Sequence, residues 1–306
     1  MRDPDEFAVA VSGAELRADF LSRQSSPTLV EQFQTHEWTI DYQEAEVRAR
    51  ILGFPPPGWA AVALISGAGE SSWYGTTVTR GFLVCTPPGE AIDGWIGPGF
   101  RCFSVGVPPE VWERCRQASG SERARSDRIV AKLVPSRFGA LERRLLKLRE
   151  VLRSNSIHAY GKVGEVSESL MTEIWEMVRE AKPLRTSSRN RTRLARRAED
   201  WLRAHHDTCT GMNELVLAMR TSRRELEYAF RENFATSPRT LLEGIRLNAI
   251  QRELTGPGTG DHTQVTRVAL DHGITHLGRF PSLYRNLFGE LPSETLARSL
   301  SVSRRR

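Results

Sequence analysis

From Arg193 to about residue 300, every segment long enough to form an element carries apolar residues at three- and four-residue steps. No segment there alternates with period two, so the last third of the chain is expected to be all helix. "RLARRAEDWLRAHH" sets Leu194, Ala198, Trp201 and Leu202 on one stripe. Met212 to Met219 is a short apolar helix. Ser222 is a good cap for "RRELEYAFRENF", in which Leu226, Ala229, Phe230 and Phe234 face inward and Arg223, Arg224, Glu227 and Tyr228 face outward. Pro238 directly after Ser237 opens a long helix, a strut of ~25 Å at ~1.5 Å per residue. "GPGTGDH" is a break. "TQVTRVALDHG" is a second short apolar helix ending at Gly273. Thr275 is the expected cap of the helix in "THLGRFPSLYRNLFGELPSETL", whose Phe280, Tyr284 and Phe288 recur at i, i+4 and i+8 and belong to a core. Seven helices are predicted in all.

The order is short helix, turn, amphipathic helix, strut, then short helix, turn and amphipathic helix again. Such a unit places its second helix in a DNA major groove, and two units on one strut reach grooves about 34 Å apart. The charge agrees. Residues 190–306 hold 19 basic and 13 acidic residues, whereas residues 1–189 balance at 24 and 24. All 19 are arginine, whose planar fork suits phosphate and guanine edges. A solvated surface rich in arginine is the plainer alternative.

The first half has another texture. "HEWTIDYQEAEVRARILGF" and "WAAVALISGAG" nearly alternate, and "RGFLVCTPPGEAIDGWIGPGFRCFSVGVP" is cut by Gly and Pro. This predicts an α+β chain whose N-terminal part, residues 1–181, is an antiparallel cupin-like β-barrel over 30–110 with flanking helices over 111–181. "RIVAKLVPSRFGALERRLLKLREVLRS" is expected to be helical, with Pro135 interrupting it. Polar, basic residues 182–192 are the expected linker, 193–300 the helical domain, and 301–306 a basic tail. Residues 190–306 are expected to have a self-contained core.

Several chemistries lack their residues. Cys85, Cys102, Cys115 and Cys209 form no CxxC pair and no zinc spacing, so free thiols in a reducing cytoplasm are expected. His36 and His158 are the only histidines of the first half, too few for a cupin metal site. "SGAGESSW" is neither a nucleophile elbow nor a phosphate loop. The expectation is therefore no catalytic residue, no metal and no cofactor. No apolar run is long enough to span a bilayer, and no secretory signal is evident. Trp59, Trp73, Trp95 and Phe100 are either effector-pocket residues or ordinary core and surface.

Gly273-Ile274, Phe280, Tyr284, Phe288-Gly289 and Pro292, in that order and spacing, resemble the second helix-turn-helix of the AraC/XylS family of transcription regulators. Ser222, Leu226, Phe230, Phe234, Pro238 and "RLNAIQREL" resemble the first unit and strut. The strut and "HLGRF" are similar to the ethanolamine-utilisation regulator branch. The resemblance covers residues 193–297 and implies sequence-specific binding of double-stranded DNA by a ligand-responsive activator. It implies recognition residues Ser222, Arg223, Arg224, Glu227 and Tyr228 in the first unit, and Thr275, His276, Leu277, Gly278, Arg279, Ser282 and Arg285 in the second. Arg279 has the fork for guanine O6 and N7. Glu227 suits cytosine N4, or pairs with Arg223 or Arg231 at i±4. RNA polymerase, a small-molecule effector of unknown identity and a second copy of the chain are the further partners implied, with no membrane. Pro281 departs from the family. Counted from Thr275 it falls near the sixth helical position, where a regular interior would cost ~3 kcal/mol, so a kink or a tightened first turn that re-aims Arg279 is expected. The rival classes are a barrel-fold enzyme with a helical docking domain and a non-specific architectural DNA binder.

Overall fold

The computed structural model describes residues 14–34, 38–119, 128–153, 160–181, 189–209, 211–256, 258–260 and 262–303. Strand alternation in the first half produces β1 (Glu15–Phe20), β2 (Leu29–Gln34), β3 (Thr39–Ala45), β4 (Ala49–Phe54), β5 (Ala60–Gly67), β6 (Ser71–Trp73), β7 (Thr76–Val78), β8 (Phe82–Thr86), β9 (Ile92–Ile96), β10 (Phe100–Val107) and β11 (Ile129–Lys132). They form two antiparallel sheets, ordered β1-β4-β9-β6-β7 and β11-β8-β5-β10-β3-β2. Strands thus extend on both sides of the expected 30–110. The sequence that was expected to be helical up to Pro135 begins instead as β11, because Ile129, Val130 and Ala131 are apolar on both faces and pair with β8. Pro135 interrupts nothing: it is the first residue of the next helix, where its missing N–H has no partner to lose.

Period two divides each central strand between two cores. On β10, Phe100 and Cys102 point between the sheets, while Phe103, Val105 and Val107 point away. The outward set is covered by α1 (Pro109–Ser119), α2 (Pro135–Arg153) and α3 (Tyr160–Glu180). Trp112 meets Trp175 edge-on at 5.1 Å in that layer, beside Leu141, Leu145 and Ile174.

The helical part comprises α4 (Arg189–Ala204), α5 (Met212–Met219), α6 (Arg223–Phe234), α7 (Pro238–Thr255), α8 (Val265–Asp271), α9 (Phe280–Phe288) and α10 (Pro292–Ser303). Residues 182–188 of the expected linker lie outside the described residues, and α4 already covers 189–192. No helix among the described residues is long and apolar enough to cross a membrane.

The helices pack on the outer face of the β1-β4-β9-β6 sheet through buried charge. Arg50 on β4 holds Glu199 of α4 with two 2.8 Å bonds, Nε to Oε1 and Nη2 to Oε2. Arg50 also pairs with Asp93 at 2.7 Å. Asp19 on β1 accepts from Arg203 of α4, and from Arg252 of α7 at 2.7 Å. Asn248 of α7 brackets the Phe20 backbone, accepting its N–H at 2.9 Å and donating to its carbonyl at 2.8 Å. Trp95 stacks on Phe234 at 4.6 Å. Phe20 and Ile51 share one apolar cluster with Leu247, Phe280 and Tyr284. The helical core is therefore not self-contained, contrary to expectation: part of its wall is the N-terminal sheet. Burial alone would raise the Asp19 and Glu199 carboxyls. The guanidiniums of Arg203, Arg252 and Arg17 around Asp19, and of Arg50 and Arg203 around Glu199, outweigh it and hold both below the ordinary range.

Glu199→Ala leaves Arg50 buried without its main counter-charge. Urea unfolding at pH 7 should show a loss of about 3–5 kcal/mol. Both carboxyls have lowered folded values, so their contribution is complete above the unfolded carboxyl pKa and is lost as pH falls through the folded one. A loss below about 1 kcal/mol would mean that the cluster does not hold the domains together.

Candidate nucleic-acid interface

The first unit is shaped by its turn. Arg220 takes the left-handed conformation, φ 51°, and ends α5, with its N–H returned to the Leu217 carbonyl at 3.1 Å. Thr221 and Ser222 complete the turn. The Ser222 hydroxyl accepts the Glu225 N–H at 3.1 Å, the expected cap. α6 then buries Leu226, Ala229, Phe230 and Phe234 and leaves Arg223, Arg224 and Tyr228 exposed, with Glu227 half-buried. Arg224 donates to the Tyr228 hydroxyl at 3.3 Å and lies 5.5 Å from its ring centre. Glu227 makes no ion pair with Arg223 or Arg231.

The second unit differs in its entry. Gly273, φ +76°, turns the chain after α8, and a Cβ there would stand 2.6 Å from the Asp207 carbonyl oxygen. Thr275 caps no helix. Residues 277–279 form a turn in which the Arg279 N–H bonds the His276 carbonyl at 3.1 Å, and α9 begins at Phe280 with Arg279 as its cap residue. Pro281 has no N–H to give to Leu277, so the regular helix starts later than expected. Pro281 falls in the first turn and produces no kink. Thr275, His276, Gly278, Arg279, Ser282 and Arg285 are exposed, whereas Leu277 is half-buried against the apolar core.

The strut sets the separation of the units. Ser237 caps α7 through the Thr240 N–H, and Pro238 occupies its first turn. The units face a trench of about 680 Å³ lined by Arg223, Arg239, Arg246, His276 and Arg279, with Glu214 and Glu243. Arg239 and Arg246 were not singled out from the sequence, because nothing local says which face of a long helix meets the trench. Among the described residues the guanidiniums of Arg223, Arg239, Arg279 and Arg285 have no hydrogen-bond or ion-pair partner. Arg50, Arg203 and Arg252 between the sheet and the helices are all paired, and Arg246 of the trench donates to the His206 carbonyl at 2.7 Å and the Cys209 carbonyl at 2.5 Å. A concave row of unpaired arginines is an anion-binding surface.

Between the two sheets lies a narrow apolar cleft with a free volume of about 50 Å³. Trp73 and Phe100 line it with Ile51, Ile92 and Ile96, and Gln43, Thr86 and Ser104 add polar groups. Trp95 lies instead on the sheet's other face against Phe234, and Trp59 lies beside Gly106. Asp41, on the same face of β3 as Gln43, is buried; burial pushes its carboxyl up to about 6, against a hydrogen bond from Gln32. Among the described residues no group of three or more His, Cys, Asp or Glu is placed to hold a metal ion.

Two helix-turn-helix units on one strut, each with an exposed polar helix face, define a tandem helix-turn-helix domain. Residues 215–298 match the family model described as "Helix-turn-helix domain". XylDLEGF operon transcriptional activator 2 of Pseudomonas putida is 41% identical over 76 residues, 25% of this chain and 48% of that protein. A probable thc operon regulatory protein of Rhodococcus erythropolis is 30% identical over 103 residues, 34% of this chain and 31% of that protein. The chain thus spans less than half the length of these relatives. A solved structure of a probable AraC family transcriptional regulator from Rhodopseudomonas palustris is 30% identical across 35% of this chain and 98% of its own, with a TM-score of 0.33. Through this domain the chain belongs to the AraC/XylS family of helix-turn-helix regulators.

Replacing Pro281 by Ala should change stability by less than about 1 kcal/mol, since a first-turn proline breaks no helical hydrogen bond. A gain near 3 kcal/mol on thermal unfolding would instead place it inside a regular helix.

Proposed function

We propose that the whole chain is a sequence-specific DNA-binding transcription regulator whose DNA affinity responds to a small molecule held between its sheets. The observation that carries the DNA reading is the row of unpaired arginines along the trench between the two units. Affinity comes from guanidiniums replacing the counterions of phosphates. Specificity comes from side chains reaching base edges, with Arg224, Glu227 and Tyr228 in one groove and Arg279, Ser282 and Arg285 in the next. Ser222, Arg223, Thr275, His276 and Gly278 sit where the backbone crosses. The chain acts as an activator, a reading taken from the names of its Pseudomonas relatives, and it does so with RNA polymerase as partner. It works in the cytoplasm, as a homodimer, without cofactor or enzymatic activity.

The effector reading rests on one wall with two faces. Ile51, Ile92, Ile96 and Trp73 line the cleft. Their neighbours Arg50, Asp93, Trp95 and Ser72 point the other way and hold the helical domain. A ligand that shifts these strands shifts the groups that seat α4 and α6. The finer architecture proposed with this function is a cupin-like barrel ahead of a seven-helix tandem domain. Inward polar groups next to the apolar cleft support ligand binding more than catalysis, since among the described residues no ion-paired nucleophile or acid–base pair lines it.

The full-length protein should select, from fragments of its source genome, a motif of about 15–20 base pairs with two elements one helical turn apart. An Arg224→Ala/Arg279→Ala variant should lose that motif, and Arg279→Ala alone should cost about 1–3 kcal/mol and relax one position. Motif-free binding, equal in wild type and variant, would favour an architectural DNA binder instead.

A further inference from the structure

The first unit has a brace that no motif announces. Arg191 lies in the first turn of α4, three residues after the segment that joins the two halves of the chain. Its Nε donates to Glu225 Oε1 at 2.9 Å and its Nη1 to Glu232 Oε2 at 3.1 Å. Its guanidinium carbon stands 5.9 Å from the ring centre of Tyr228. Glu225, Tyr228 and Glu232 are one stripe of α6, at i, i+3 and i+7. Arg224 stands 5.5 Å from the same ring centre and donates to its hydroxyl. Two guanidiniums therefore flank one tyrosine ring, that of Arg191 anchored by two carboxylates and that of Arg224 bonded to the ring's hydroxyl.

We propose that Arg191 is a positioning residue for base readout by the first unit: it fixes Tyr228, and through it Arg224, without itself touching a base. The inference rests on the reading that α6 enters DNA. Each ion pair is exposed and contributes little to stability alone. The effect of the brace is geometric. A side chain free to rotate loses its bidentate alignment, so it discriminates between bases less while still attracting phosphate. Arginine is required because two carboxylates and a ring are met at once by one planar fork, which lysine lacks.

The test uses full-length protein and a panel of fragments mutated singly in each element of its selected site. A mismatch in the first unit's element, worth about tenfold in affinity to wild type, should cost Arg191→Ala less than about threefold. Mismatches in the second element should cost both proteins the same. The salt dependence of binding should not change, because no phosphate contact is lost. Glu225→Gln/Glu232→Gln, which keeps Arg191 but removes its anchors, should show the same selective relaxation. Uniform weakening on every fragment with a salt slope reduced by about one would make Arg191 a phosphate contact and overturn the proposal. So would unchanged discrimination in either variant. Failure of wild type to select any site would overturn the DNA reading, and the brace with it.

Discussion

Five charged side chains between the N-terminal sheet and the helices fix the relation between the two halves of this molecule. Arg50 and Glu199 are both 2% exposed, and Asp19 is 0% exposed. Charges so far from water are tolerated only when every one has a partner, and here Arg203 serves Asp19 and Glu199 together while Arg252 completes Asp19. A hydrophobic contact of the same area would tolerate sliding. A set of buried ion pairs, with the Arg50–Glu199 fork among them, does not, because a shift of an ångström or two leaves a buried charge alone. Asn248, bonded to both backbone groups of Phe20, adds a second directional constraint beside the first.

That rigid seat shapes the DNA-facing side. α7 is held against β1, so the two units at its ends keep one separation. The arginines divide accordingly: those at the sheet are consumed in pairs, whereas Arg223, Arg239 and Arg279 along the trench are free for an outside anion and Arg246 between them is held by backbone carbonyls. The units are unequal. α6 runs for 12 residues with a side-chain cap, whereas α9 runs for 9, is entered through a turn that ends at Arg279, and carries Pro281 in its first turn. The first presents a braced cluster around Tyr228. The second presents Arg279 at the helix start beside Gly278, where nothing stands within 4 Å of a Cβ position, which suits close approach of a backbone.

Much of the helical domain was legible because its signals are local. Ser222 and Ser237 cap the helices that they precede, Gly273 takes a positive φ, and the 3.6 period picks out Phe230, Tyr284 and their neighbours. The misreadings arose where a local signal had two outcomes. Ile129-Val130-Ala131 fits a helix or a strand, and only β8 decides it. Thr275 looks like a cap, but Pro281 delays the helix by removing the donor that the Leu277 carbonyl would need. Glu199 and Asp19 gave no local signal of burial, since Arg50 and Arg203, their partners across the boundary, lie 149 and 184 residues away. The cleft side of each strand was likewise visible only once the pairing was known, which is why Trp95 and Trp73, both plausible pocket residues, proved to lie on opposite faces of one sheet.

The buried cluster as the link between the halves is tested most directly by hydrogen exchange at the Phe20 amide, which bonds Asn248 across the boundary. Wild type should be compared with Asp19→Asn. Exchange at Phe20 should accelerate in the variant, while amides of β5 and β10, under the α1–α3 layer, keep their wild-type rates. Unchanged protection at Phe20, or equal loss across β5 and β10, would mean that the halves are joined by something other than this cluster.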